Sequence, residues 1–193
     1  MSFGNWNVDV SVGKMPQKVA TAVSKLNGTM LGAEYEAIAY IGSQVVNGTN
    51  HAVLAEQVIT TGRDTTNIVM LVFNEKPNEN DAVLVSIDRI VEGGLPLGGT
   101  KIDVRTNLSD EEMGIWNAAF DGFVGSKMTP FALLGSHTTK GTSYIFAATV
   151  TPIAPDAVQN AVVVTINPFT KEVSFTDMLS DKQSASLKYA FTW

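Results

Sequence analysis

YEAIAYIGSQVV (residues 35–46), TNHAVLAEQVIT (49–60), NIVMLVFN (67–74) and AVLVSIDRI (82–90) follow one another with only short polar breaks. Each run is rich in Val, Ile, Ala and aromatic residues and contains no Pro, which predicts β-strands. Between them stand Asn47-Gly48, Gly62-Arg63-Asp64 and Pro77-Asn78-Glu79-Asn80-Asp81. These are turn chemistries, so the runs are expected to join as antiparallel hairpins.

Upstream, Trp6, Val8, Val10 and Val12 alternate with polar residues, the period of a half-buried strand. Pro16 suits the first turn of a helix. Val19, Val23, Leu26 and Met30 then recur at helical spacing, and Gly28 and Gly32 act as breakers. Downstream the same order returns. Ile102 and Val104 alternate, Ser109 with Glu112 forms a capping-box signature, and Leu108 can staple the helix start. Met113, Trp116, Phe120 and Phe123 lie on one helical face. Strand-like runs follow at 129–139, 142–150, 160–168 and 172–178, and Leu187, Tyr189, Phe191 and Trp193 alternate at the end. At an offset of 93 residues, Gly42-Ser43 falls on Gly135-Ser136, Gly48-Thr49 on Gly141-Thr142, Asn67 on Asn160 and Asn74 on Asn167. That period is too long for a solenoid unit and reads as a duplicated domain. The Gly- and Pro-rich segment 93–99 is the expected linker, separating domains at 1–92 and 100–193.

The segment Ser43–Asn50, SQVVNGTN, resembles the first inhibitory hairpin of the stefins, a branch of the cystatin superfamily, whose pattern is Gln-X-Val-X-Gly followed by Thr-Asn. Gln44, Val46 and Gly48 occupy the defining positions. VFNEKPNEN (72–80) is similar to the second stefin hairpin, with Pro77 at its tip, and Gly4 matches the glycine of the family's N-terminal trunk. The resemblance covers roughly residues 3–90, with 100–193 as a diverged second repeat. It implies an α+β fold of two tandem cystatin-like domains, each a helix packed across a curled antiparallel β-sheet. It also implies reversible, non-covalent inhibition of papain-like cysteine proteases, with Phe3, Gly4, Gln44, Val45, Val46, Asn47, Gly48 and Pro77 as the protease-binding residues.

The physical chemistry of those residues agrees with that implication. A narrow cleft needs a thin, rigid wedge, and a tight Asn-Gly hairpin has that shape. Val45 and Val46 are stiff, apolar and lose little rotamer entropy on burial, and Pro77 fixes its own backbone. Phe3, with Ser2, would enter the non-primed pockets while Gly4 lets the trunk bend. His51 stands where stefins usually carry an aromatic residue, and Asn47 replaces a small one. In the second half His137 and Thr139 replace the Gln and the second Val, and Lys140 sits beside the turn, so that tip is expected to be a structural partner or to bind something else. The alternative reading is a non-inhibitory assembly protein that pairs with itself or with a larger particle.

Other functions are disfavoured. A net charge of −6 without Lys/Arg clusters argues against nucleic acid and anionic membrane surfaces. The absence of Cys removes disulfides, thiolate catalysis and zinc-thiolate sites. Gly94–Lys101 has the wrong order for a phosphate-binding loop, Asp110-Glu111-Glu112 suits a helix dipole better than a metal, and neither His51 nor His137 has a Ser-Asp partner pattern. No enzyme activity, cofactor or metal is expected. The N-terminus has no secretory pattern and no apolar run reaches membrane-span length, which points to a cytoplasmic protein, with a non-classical or particle-associated location left open.

Overall fold

The structure is a computed structural model, and it describes residues 5–62, 65–94, 99–154, 156–179 and 190–192. The chain divides into two compact units, Met1–Gly94 and Leu95–Trp193. Positions 95–98 of the expected linker lie outside the described residues.

The first unit runs β1 (Asn7–Val12), α1 (Gln17–Thr29), β2 (Ala33–Val46), β3 (Gly48–Ile59), β4 (Thr65–Glu75) and β5 (Val83–Val91). Its sheet is antiparallel in the order β1-β2-β3-β4-β5. Val19, Ala22, Val23 and Leu26 form the apolar stripe of α1 and share a core with Val53, Ala55, Val69, Leu71 and Phe73 of the sheet. Pro16 stands at the N-cap rather than inside the first turn and supplies no side-chain cap. Helix stability therefore comes from burial, about 1.5–3 kcal/mol for each large apolar side chain fully removed from water.

The second unit runs β6 (Thr100–Arg105), α2 (Asp110–Ala119), β7 (Ser126–Thr139), β8 (Gly141–Pro152), β9 (Asn160–Asn167), β10 (Glu172–Asp177) and β11 (Ala190–Thr192). Its sheet has the order β11-β10-β9-β8-β7-β6. The capping box at α2 is formed: Glu112 N–H donates to Ser109 Oγ at 3.3 Å, and Ser109 N–H donates to Glu112 Oε2 at 2.7 Å. Arg105 completes it with a 2.7 Å ion pair to the buried Glu112 carboxylate. Trp116 packs on Phe120 and Phe146 in the core, with Leu108 and Met113 against the same cluster. Leu187, Tyr189 and Trp193 of the alternating C-terminal run lie outside the described residues.

The expected α+β class does not hold. The chain is mostly β: the two helices have only 13 and 10 residues, against eleven strands among the described residues. The physical reason lies in burial. A helix laid on a sheet accounts for one face, yet the central strands of each sheet are buried on both faces. In the first unit Val53 and Ala55 point to the helix core, while Ala52, Leu54, Ile68 and Met70, one residue out of phase, are equally buried. In the second unit Phe146 and Ala148 alternate with the buried Ile145 and Ala147. Runs such as NIVMLVF are continuous in apolar residues for that reason.

Gly42 and Gly135, one repeat offset apart, sit at matching bulges. A Cβ at Gly42 would collide with the backbone of Asn7, and one at Gly135 with the backbone of Lys101. Each glycine thus lets the short first strand of its unit close against the sheet.

Candidate functional site

One end of the first sheet gathers the candidate residues. Val46 pairs with Gly48, Val45 with Thr49 and Gln44 with Asn50, which leaves Asn47 alone at the tip of the β2–β3 hairpin. Gly48 takes φ +99°, and a Cβ there would lie 2.5 Å from the Glu75 carbonyl oxygen of β4. Only glycine satisfies both demands. Val45 is 72% exposed and Asn47 is exposed, whereas Gln44, Val46 and Gly48 are half-buried.

The base of this hairpin is held by an amide ladder across three strands. Asn74 Nδ2 donates to Asn50 Oδ1 at 2.8 Å and, more weakly, to the Asn47 carbonyl at 3.4 Å. Asn50 Nδ2 in turn donates to Gln44 Oε1 at 3.2 Å. Gln44 is thereby engaged within the protein as well as placed at the tip. Asn50 and Asn74 were not among the candidate site residues, although Asn50 closes the Thr-Asn exit of the hairpin motif and Asn74 matches Asn167 across the repeat.

Thr49 pairs with Glu75, so the β4–β5 turn leaves the sheet beside the hairpin. Glu79 N–H donates to the Lys76 carbonyl at 3.2 Å, closing a turn with the exposed Pro77 at its second position. Asn7 pairs with Ser43, so β1 begins at the same end. Phe3 and Gly4, the candidate trunk residues, lie outside the described residues. The described candidates Gln44–Gly48 and Pro77 therefore share one end of one sheet.

Behind the tip is a buried polar cluster. His51 is 7% exposed; its Nδ1 is 3.0 Å from the Tyr40 hydroxyl, and its Nε2 is sealed from solvent. Glu75 Oε2 stands 3.4 Å from that Nε2, close enough for charge attraction but without hydrogen-bond geometry. Lys18 from α1 holds the other carboxylate oxygen at 2.9 Å. Burial pushes the His51 pKa below its ordinary value, with Glu75 opposing it. The Lys18 hydrogen bond pulls Glu75 below the usual carboxylate range. Burial also raises Tyr40. His51 is thus a neutral core residue near pH 7, and its place is set by the β3–β4 register, which the sequence does not display.

In the second unit, His137 pairs with Ser143, Thr138 with Thr142 and Thr139 with Gly141, and Lys140 takes the tip. The described residues contain no cluster of three or more His, Asp or Glu side chains suited to a metal ion, and no helix among them is long and apolar enough to cross a membrane. No family model, curated protein or solved structure matches the chain.

Proposed function

We propose that the first unit is a reversible, non-covalent inhibitor of papain-like cysteine proteases, with the Gln44–Gly48 hairpin as the part that enters the cleft. The observation that carries this reading is Val45, 72% exposed on a tip whose base is locked by the Gln44–Asn50–Asn74 ladder. An apolar side chain held in water by a rigid hairpin gains on transfer into a cleft, and little ordering remains to be done on binding. Pro77 on the neighbouring turn widens the contact toward the ~1,600 Å² that protease–inhibitor pairs bury.

Titration of papain with the full chain tests this. Inhibition that reverses on dilution, and that Val45→Asp weakens at least about tenfold, equivalent to about 1.4 kcal/mol, is the expected result. No inhibition at about 10 μM chain, where even modest interfaces are occupied, would sink the proposal. A second reading, assembly through a sheet edge, draws on Val83 and Val85. They are 56% and 58% exposed on the edge strand β5, and such strands invite pairing with another chain. Sedimentation as an oligomer that Val85→Lys dissociates, with papain unaffected, would replace the first reading by the second.

A further inference from the structure

The turn end of the second unit carries chemistry that the first unit lacks. Phe169 stands on the β9–β10 turn with 77% of its surface exposed. Its ring is carried over the β7–β8 hairpin, where a Cβ at Gly141 would lie 2.7 Å from Phe169 Cβ. Asn167, only 6% exposed, fastens both turns with one amide. Its Nδ2 donates to the Lys140 carbonyl at 3.0 Å and to Ser143 Oγ at 3.1 Å, and its Oδ1 accepts from the N–H groups of Phe169 and Thr170, both at 3.0 Å. The aromatic is therefore presented on a backbone fixed by a buried side chain.

Lys171 follows at φ +59°, a left-handed conformation that non-glycine residues seldom take and that tends to occur at functional turns. Lys171 and Lys140, at the hairpin tip, are both exposed, as is Lys101 near the start of β6, where Thr100 pairs with His137. Among the described residues none of these three lysines belongs to an ion pair, while the one carboxylate of the turn, Glu172, accepts from the Thr170 hydroxyl at 2.8 Å. An exposed aromatic thus shares its turn with Lys171 and lies over the hairpin whose tip is Lys140, in a chain of net charge −6.

We infer that this end docks a protein partner presenting an apolar pocket rimmed by carboxylates, with Phe169 filling the pocket and Lys140 and Lys171 meeting the rim. A preorganised aromatic can anchor an interface by filling a pocket, and complementary charge at the rim steers the partner to it. Stable attachment to a bilayer takes two strong signals, and one ring with a few lysines falls short of that. The net negative charge of the chain also opposes anionic lipid and nucleic acid. The inference is independent of the protease reading, which concerns the first unit.

The test is selection of a phage-displayed random peptide library on the full chain, followed by affinity measurement on purified variants. Peptides pairing carboxylates with an apolar residue are expected to be enriched. Their affinity should fall at least about tenfold with Phe169→Ser and with the double variant Lys140→Glu/Lys171→Glu, and should weaken as salt rises from about 50 to 300 mM. Circular dichroism and melting of both variants establish that the fold is kept. No enrichment, peptides without carboxylates, or equal binding to the folded variants would overturn the inference. So would co-sedimentation with phosphatidylserine vesicles that Phe169→Ser abolishes, which would make the end a lipid contact instead.

Discussion

The two hairpin ends use one device for different presentation. Asn74 and Asn167 stand one repeat offset apart, and each donates to the carbonyl of the residue preceding the turn glycine, Asn47 in one unit and Lys140 in the other. In the first unit the amide carries on sideways into Asn50 and Gln44, and the β4–β5 turn closes by itself through Glu79 and Lys76. In the second, the shorter β9–β10 turn is tied back to Asn167 Oδ1. A shared backbone clamp thus offers Val45 at one end and Phe169 with lysines at the other. The fold sets where a tip stands; the residues on it set what it meets.

The sharpest way to break that comparison is to remove the clamps. Asn167→Ala takes the partner from the buried Ser143 hydroxyl, from the part-buried Lys140 carbonyl and from two part-buried turn N–H groups, and is expected to cost about 2–3 kcal/mol. Asn74→Ala releases a longer bond to Asn47 and a half-buried ladder, and about 1–2 kcal/mol is expected. Chemical denaturation of both variants measures the difference. Equal losses would mean that the two clamps are interchangeable and that the turn length is irrelevant.

The glycines sharpen it next. At Gly48 a new methyl meets the backbone oxygen of Glu75, which cannot move without breaking the β3–β4 pairing. At Gly141 it meets Phe169 Cβ at 2.7 Å, an atom that side-chain rotation does not move, on a turn whose backbone is tied to Asn167. Gly48→Ala and Gly141→Ala are each expected to cost about 2–3 kcal/mol, the first by opening the β3–β4 pairing and the second by shifting the β9–β10 turn, since both also carry the positive-φ strain. Localised hydrogen exchange at the two hairpins distinguishes the cases.

Much of this arrangement was legible from local patterns. The strand runs at 35–90, the turn at Asn47-Gly48 and the capping box at Ser109–Glu112 all depend on neighbours in sequence, and the structure has them where expected. The fold class was misread because it was taken from the stefin resemblance, which implies a helix packed across each sheet. The unbroken run Ile68–Leu71 already pointed to burial on two faces. Of the site, Gln44–Gly48 was legible as a motif, but the support beneath it was not. His51, Glu75, Lys18 and Tyr40 meet only through the register of three strands and a helix, and no spacing in the sequence encodes that meeting.

That polar cluster separates the units by pH. His51 corresponds across the repeat to Tyr144. The folded pKa of His51 lies below its ordinary value near 6.5, so the unfolded chain binds the proton first as pH falls. The stability it confers is intact above pH 6.5 and declines as pH drops toward the folded pKa, with a slope of at most about 1.4 kcal/mol per pH unit. The depressed pKa of Glu75 adds a loss in the same direction below its ordinary value of 4.5. Hydrogen exchange between pH 7 and 5, corrected for intrinsic rates, should show the first hairpin loosening and the second unchanged. His51→Tyr should abolish the contrast.

The smallest effect is the most discriminating for the second end. Phe169 is 77% exposed, so its ring contributes little to the folded state, and Phe169→Ser should shift stability by no more than about 0.5 kcal/mol. Its backbone N–H still donates to Asn167 in the variant, and the clamp persists. Thermal melting checks this directly. A near-zero change means that the aromatic is not retained for packing within the unit, and that its exposure on a fixed turn serves something outside it. A loss of about 2 kcal/mol would show the ring to be a lid over Gly141, and would return the second tip to a purely structural role.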